Sequence, residues 1–111
     1  MIERIVRDWL AEKLAVPVCM EVPANAAGTF VLVEKTGSGR ENHILSATLA
    51  LQSYAPSLFE AAALNEEVKT AMDSLDELDE VCRVQLNSDY NFTDTAAKRY
   101  RYQAVYDLTH Y

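Results

Sequence analysis

Five carboxylates form the densest set of chemically active side chains in this sequence of 111 residues: Asp73, Asp76, Glu77, Asp79 and Glu80. Carboxylate oxygens are ligands for hard cations such as Mg²⁺ and Ca²⁺. The spacing lacks the glycine that an EF-hand loop requires at its sixth position. Carboxylates at the end of a predicted helix also oppose the helix dipole. We interpret the cluster as a solvated acidic face with an electrostatic use, and we predict no metal site.

The cysteines and histidines do not form a recognisable catalytic or metal-binding pattern. Cys19 and Cys82 are far apart and belong to no CxxC pair, and His43 and His110 stand alone. Zinc sites need clustered ligands, and covalent catalysis needs a nucleophile with an activating base. We therefore predict reduced, unpaired thiols, no bound cofactor and no enzyme activity.

A glycine-rich segment offers a second possible site, because Gly37, Gly39 and Arg40 resemble part of a phosphate-binding loop. Such loops bind phosphate at the N-terminus of a following helix, whereas a strand is predicted here. We interpret residues 37–42 as a turn or short loop between two strands. Exposed loops often carry function, so this one is a candidate protein contact.

The end of the chain combines basic and aromatic residues in a manner that resembles a surface for stacking nucleic-acid bases. The members are Lys98, Arg99, Tyr100, Arg101, Tyr102 and Tyr106. The whole chain nevertheless carries 17 acidic and 10 basic residues, a formal net charge of −7. A protein that neutralises phosphates needs a basic footprint. We therefore favour a tyrosine-rich strand that packs on the core and presents arginines to a protein partner, with no specific nucleic-acid binding.

The elements that position these residues follow from hydrophobic periodicity. A capping box at Ser57 and Glu60 marks the start of a second helix. Prolines at 17 and 23 place the first strand at a sheet edge. The predicted helices span residues 2–14 and 57 to about 75 or 78, and the predicted strands span residues 16–22, 29–36, 43–54, 81–86 and 98–111.

The element order α-β-β-β-α-β-β predicts an α+β fold in a single domain, residues 1–111. Short connections between successive strands favour a mainly antiparallel sheet, with two helices packed on one face. The other face is then partly polar or meets a partner. No segment has the apolar run of a signal peptide or a membrane helix, which predicts no membrane association.

Several segments resemble the tail-terminator proteins (head–tail joining proteins of the neck) of siphophages and prophages of Gram-positive bacteria. These segments are 18–23 (VCMEVP), 30–37 (FVLVEKTG), 39–43 (GRENH), 86–94 (LNSDYNFTD) and 101–107 (RYQAVYD). The resemblance implies an α+β sheet with helices on one side and no enzyme activity. It also implies a hexameric ring that caps the tail tube, stops its polymerisation and offers a surface to the head connector.

The resemblance implies three partners: other copies of this chain, the tail tube protein and the head–tail connector proteins. It also implies assembly in the cytoplasm of the bacterial host and a final place in the virion neck. A ring forms when each subunit uses two different patches. The candidate subunit-interface residues, chosen for opposite charge, are Arg40, Glu41, Asp76, Glu77, Arg99 and Arg101.

Other interpretations stay open at this point. One is a different neck protein, such as a head-completion or adaptor protein. Another is a small-ligand-binding or regulatory α+β domain that uses the tyrosine-rich strand as a pocket. A small enzyme is the least favoured.

Overall fold

The structure is a computed structural model that describes residues 1–23, 28–94 and 99–111. Lys98, predicted at the start of the last strand, lies outside these residues. The described elements, in chain order, are α1 (Ile2–Lys13), β1 (Val18–Cys19), β2 (Phe30–Glu41), β3 (Ile44–Ala55), α2 (Leu58–Met72), a 3₁₀ helix (Leu75–Glu77), β4 (Val81–Asn91) and β5 (Tyr100–His110).

The five strands form one sheet in the order β1-β2-β3-β5-β4. All neighbours pair antiparallel except β1, which pairs parallel with β2 through two residues. The predicted α+β class, the element order and the edge position of the first strand are confirmed. The first strand is much shorter than the predicted span of 16–22, since it covers only Val18–Cys19.

Both helices are specified by residues that are close together in the sequence, and both pack on the same face of the sheet. Apolar residues at helical spacing bury Ile2, Val6 and Leu10 of α1 against the strands. The second helix starts at the predicted cap, where Ser57 Oγ accepts a hydrogen bond from Glu60 N at 3.2 Å. It ends at Met72, earlier than predicted.

The main hydrophobic core lies between the helices and the sheet. Its fully buried members share positions on one side of β2, β3 and β5 and on the inner sides of the helices. Those with the largest side chains are Leu10, Leu49, Leu51, Met72, Leu75 and Leu108. The buried residues of α2 include Leu64, whereas Leu58 in its first turn is exposed. We call the other side of the sheet the open face.

The predicted glycine-rich turn at residues 37–42 is wrong. Strand β2 continues to Glu41, and Gly37 and Gly39 pair with Thr48 and Ser46 of β3. The turn is the two-residue step Asn42–His43, where φ is 50° and 67°. Two positive φ angles are the requirement of a type I′ hairpin turn. The glycines are tolerated because β3 supplies a complete hydrogen-bonding partner along their length.

The predicted end of the fourth strand at residue 86 is also wrong, because β4 runs from Val81 to Asn91. Its register with β5 shifts at Cys82 and again at Asn87. Each β-bulge adds one residue and reverses the alternation of side chains. Val81 is therefore buried on the helix side, while the next residue, Cys82, is exposed.

Candidate subunit interface

The β2–β3 hairpin forms an arm, defined here as residues 37–46. Every residue of β2 from Glu34 to Glu41 is exposed, so the arm reaches past the part of the sheet that the helices cover. We call the end of the molecule that carries the turn of this arm the arm end. Arg40 and Glu41 lie there, on the last two paired rungs of β2 and β3.

Strand register places Asp76 and Glu77 at the same end as Arg40. Arg40 pairs with Leu45, Leu45 with His110, and His110 with Val81, so all four residues share one row across the sheet. The 3₁₀ helix that carries Asp76 and Glu77 comes directly before Val81 and contacts β4. Arg40 is thus at the β2 side of the sheet and the two acids are at the β4 side.

The four charged side chains at the arm end form no hydrogen bonds or ion pairs within the described chain. Arg40, Glu41, Asp76 and Glu77 are exposed, and none has a side-chain hydrogen bond or ion pair to any described residue. Strands lie about 4.8 Å apart, so Arg40 and the acids are separated by three strand spacings. Arg40 therefore does not pair with these acids within the described chain.

Arg99 and Arg101 lie at the opposite end of β5, beside the start of α2. The side chain of Arg99 is exposed and has no partner in the regions that the structure describes. Its backbone forms an isolated bridge with Asp94. The structure therefore separates these two arginines from the other four predicted residues by nearly the full length of β5, about 30 Å for an eleven-residue strand.

Arg101 differs from Arg99 because it is committed to contacts within its own chain. Its Nη1 donates to the Tyr54 hydroxyl at 2.7 Å, and its Nε donates to the Phe92 carbonyl at 2.6 Å. The guanidinium carbon lies 4.2 Å from the centroid of the Phe92 ring. Phe30 stacks on Tyr54 with ring centroids 4.5 Å apart. Arg101 thus stabilises the open face and is a poor candidate for an ion pair with another subunit.

Further polar contacts extend this network across the open face. Tyr54 donates to Gln52, and Gln52 donates to Glu34 at 3.2 Å. Closer to the arm, Asp107 accepts from Thr48 at 2.9 Å and from Asn87 at 2.8 Å. A shallow groove of about 360 Å³ lies beside Asp107 and contains Ser46, Thr109, Arg83 and Gln85 in its lining.

Arg83 is a charged residue that the sequence analysis did not select. It lies on β4 beside the bulge at Cys82, and its exposed side chain contacts no carboxylate of the described residues. Its position between Cys82 and Val84 is typical of an ordinary strand residue, so only the register of β4 reveals it. The bulge turns Arg83 to the open face, opposite Thr109.

Apolar groups are exposed at the end opposite the arm. Phe59, in the first turn of α2, is 83% exposed. Tyr90 and Phe92 form an edge-to-face pair with centroids 5.8 Å apart, and both are about two-fifths exposed. Tyr90 and Phe92 lie past residue 86, where the fourth strand was predicted to end.

A partly exposed polar cluster on the helix side joins β4 to α2. Asn65 and Lys69 of α2 donate to the two carboxylate oxygens of Asp89 at 3.2 Å and 3.0 Å. Hydrogen bonds to Glu66 and Asp89 raise the pKa of Lys69. Burial raises the pKa of the neighbouring Tyr106 phenol to about 12, and Asp73 adds to this effect. These contacts are structural, since they fix the strand that borders the candidate interface.

The described residues contain no cluster of three or more His, Cys, Asp or Glu side chains placed to bind a metal ion. The acidic residues after α2 therefore do not converge on a common point within this part of the chain. None of the helices in the described regions is long and apolar enough to cross a membrane.

Comparison with protein-family models gives no match for this chain, and comparison with curated proteins gives none either. The resemblance to tail terminators stays a prediction from the segments quoted above. The fold and the placement of the charged residues are observations independent of that resemblance.

Proposed function

We propose that this protein is a structural protein of long-tailed bacteriophages, a tail terminator that caps the tail tube as a homo-oligomeric ring and joins it to the head connector. Six subunits are expected from the family that it resembles. Assembly would take place in the cytoplasm of the bacterial host, and the product would remain in the virion neck.

One observation carries the proposal. Arg40 and the pair Asp76 and Glu77 lie at the same end of the molecule, at opposite edges of the sheet, exposed and without a side-chain hydrogen bond or ion pair among the described residues. A ring needs two different patches on each subunit, and opposite charges across an interface fix register and choice of partner. A neighbour placed side by side would bring its Arg40 to the acids of the first subunit.

The net charge of −7 agrees with a ring around a DNA passage, because acidic walls do not retain a polyanion. The α+β fold with both helices on one face is the fold that the resemblance implies. These two properties support the proposal without distinguishing a terminator from another neck protein.

The first experiment measures the absolute mass of the protein by light scattering over a range of concentrations. A discrete ring is expected for the parent protein. The double variant Asp76→Lys/Glu77→Lys is expected to lose the ring, because it places like charges opposite Arg40 of the neighbour. Adding Arg40→Glu to that variant is expected to restore it.

A matched control reverses two exposed acids on the outer helix surface, Glu12→Lys/Glu67→Lys, with the same change in net charge. This variant is expected to assemble normally. Normal rings from the Asp76→Lys/Glu77→Lys variant would contradict the role of these acids.

A second measurement tests the terminator role itself. Tail tube subunits of the same phage are polymerised with and without the protein, and tube length is measured by electron microscopy. Shortened, capped tubes are expected. Unchanged tubes together with a normal ring would favour another neck protein, and a monomer that gains thermal stability with a small metabolite would favour the ligand-binding interpretation.

A further inference from the structure

Two strands of the sheet have an unpaired outer edge. Strand β4 pairs with β5 on one side and with no described strand on the other. Strand β1 covers β2 only at Val31 and Leu32, so β2 from Val33 to Glu41 also lacks an outer partner in the described chain. An edge of this length presents a row of free N–H and C=O groups that pairs readily with another strand.

The directions of these two strands suit each other. Strand β2 runs towards the arm end, and β4 runs away from it, because each is antiparallel to an inner strand and the inner strands are antiparallel to each other. When a second copy lies beside the first in the same orientation, its β2 meets β4 antiparallel. The pairing would continue the pattern of the sheet from one subunit to the next.

We propose that β4 of one subunit pairs antiparallel with β2 of the next, in the register that sets Arg83 opposite Glu41 of the neighbour. This proposal rests on the self-assembly proposed above and specifies the contact that produces it. In the same register Asp89 faces Lys35 of the neighbour, and both members of each pair share a face of the continued sheet.

The register follows from the rows of the sheet. Arg83 shares a row with Thr109, Ser46 and Gly39, and Asp89 shares a row with Ala104, Leu51 and Val33. If the rows of one subunit continue into the next without a shift, Arg83 lies opposite Gly39 of the neighbour and Asp89 lies opposite Val33. No ion pair forms in this register.

Moving the neighbour by two rows replaces Gly39 with Glu41 and Val33 with Lys35. Both new pairs join opposite charges. A shift of two rows in the other direction brings no charged pair together. A shift of four rows in that direction brings only one together, Arg83 with Glu34, and Glu34 already accepts a hydrogen bond from Gln52. Opposite charges directly across an antiparallel pair stabilise it, typically by a fraction of a kcal/mol up to about 1 kcal/mol.

The pair of Arg83 with Glu41 supports this register more strongly than the pair of Asp89 with Lys35. Neither Arg83 nor Glu41 has a side-chain hydrogen bond or ion pair to any residue that the structure describes. Asp89 and Lys35 already have partners within the chain, Lys69 at 3.0 Å and Glu3 at 3.8 Å. The same arrangement puts Arg40 of the neighbour opposite Val84, on the helix side where the 3₁₀ helix with Asp76 and Glu77 lies.

A charge swap tests the first pair. The variants Arg83→Glu and Glu41→Arg are each expected to weaken association on the order of tenfold, measured as the concentration at which the ring dissociates. The double variant is expected to return to within about threefold of the parent. Combining Glu41→Arg with Arg4→Glu, on the exposed face of α1, keeps the same net charge and is expected to give no rescue.

Disulfide trapping tests the register directly. Opposite residues of an antiparallel pair have Cα atoms about 4.5–5.5 Å apart, within reach of a disulfide. In a Cys19→Ser/Cys82→Ser background, Leu86→Cys with Ser38→Cys is expected to give covalent multimers under oxidation. The pair Leu86→Cys with Lys35→Cys reports the unshifted register and is expected to give none.

The outcomes separate this inference from the proposed function. A ring of normal mass that traps only the Lys35→Cys pair, or neither pair, overturns the inference and leaves ring assembly standing. A parent protein that stays monomeric at all concentrations and on tail tubes overturns both. Trapping of the Ser38→Cys pair with rescue by the charge swap supports both.

Discussion

Arg101 Nη1 donates a hydrogen bond to the hydroxyl of Tyr54 at 2.7 Å, across the pair of strands β3 and β5. The same guanidinium bonds the Phe92 carbonyl through Nε and covers the Phe92 ring. Arg99, two residues earlier on the same side, has no side-chain partner in the described chain. Two arginines that look equivalent in the sequence therefore differ in structure: Arg101 binds residues of its own chain, and Arg99 is exposed.

Replacing Arg101 by lysine should lower the free energy of unfolding by about 1–3 kcal/mol. A lysine ammonium cannot reach the Tyr54 hydroxyl and the Phe92 carbonyl together or stack on a ring as a planar guanidinium does. Urea unfolding followed by circular dichroism measures the change. The matched substitution Arg99→Lys should alter stability by less than about 0.5 kcal/mol. Equal effects at the two positions would show that the contacts of Arg101 are not stabilising.

Replacing Trp9 by phenylalanine should destabilise the protein by about 1–2 kcal/mol. The indole N–H donates to the Ala71 carbonyl at 2.8 Å and joins the two helices, and phenylalanine would leave that half-buried carbonyl without its donor. The lysine over the indole ring, Lys13, is exposed, so Lys13→Ala should cost less than about 0.5 kcal/mol. Thermal unfolding of both variants at equal concentration distinguishes the two contacts.

Stability should fall steeply above pH 10. The pKa of Tyr106 is about 12 in the folded protein because its phenol is buried, whereas the unfolded chain has the ordinary value of about 10. The unfolded state therefore releases this proton first, and folding loses up to roughly 1.4 kcal/mol per pH unit between pH 10 and 12. Urea midpoints measured at intervals of half a pH unit give the slope.

The variant Tyr106→Phe isolates this contribution. The pKa of Lys69 is also raised, so its stabilisation is present below its ordinary pKa of 10.5 and is lost as the pH rises through the folded value. Tyr106→Phe should make the slope shallower above pH 10 but leave the part that comes from Lys69. An unchanged slope in the variant would contradict the assignment to Tyr106.

Replacing His43 by glycine should stabilise the arm by up to about 1 kcal/mol. His43 adopts φ of 67°, which glycine accepts without a steric penalty, and Asn-Gly is the preferred sequence for this turn. Hydrogen exchange of the arm amides measures local stability, and it should slow in the variant. His43→Ala keeps the steric penalty and serves as the control, with no gain expected.

The helices and the order of elements were predictable because their signals are local. The cap at Ser57 and the helical spacing of Ile2, Val6 and Leu10 depend only on nearby residues. The extent of β2 was not predictable, because Gly37, Ser38 and Gly39 disfavour a strand by composition and only pairing with β3 overrides that preference.

The exposure of the candidate interface residues could be predicted from the sequence, but their arrangement in space could not. Exposed charges at Arg40, Glu41, Asp76 and Glu77 follow from sequence, but their common end depends on strand order across the whole sheet. The orientation of Arg83 depends on the bulge at Cys82, which periodicity cannot locate. The contacts of Arg101 could not be predicted, because Tyr54 is brought to it by β3 and Phe92 by the segment that directly follows β4.

The position of β5 between β3 and β4 has a consequence for the order of folding. It is the last described strand along the chain, and it pairs with β3 across a separation of about 50 residues and with β4 across a short hairpin. Pairings between distant segments form late, because they carry the largest loss of chain entropy. Strand β4 has no other neighbour among the described strands of the sheet. Its outer edge is therefore positioned only after β4 has paired with β5. A nascent chain in which β5 has not yet paired therefore lacks one of the two strands proposed to form the subunit contact, which would delay polymerisation until each copy is completely folded.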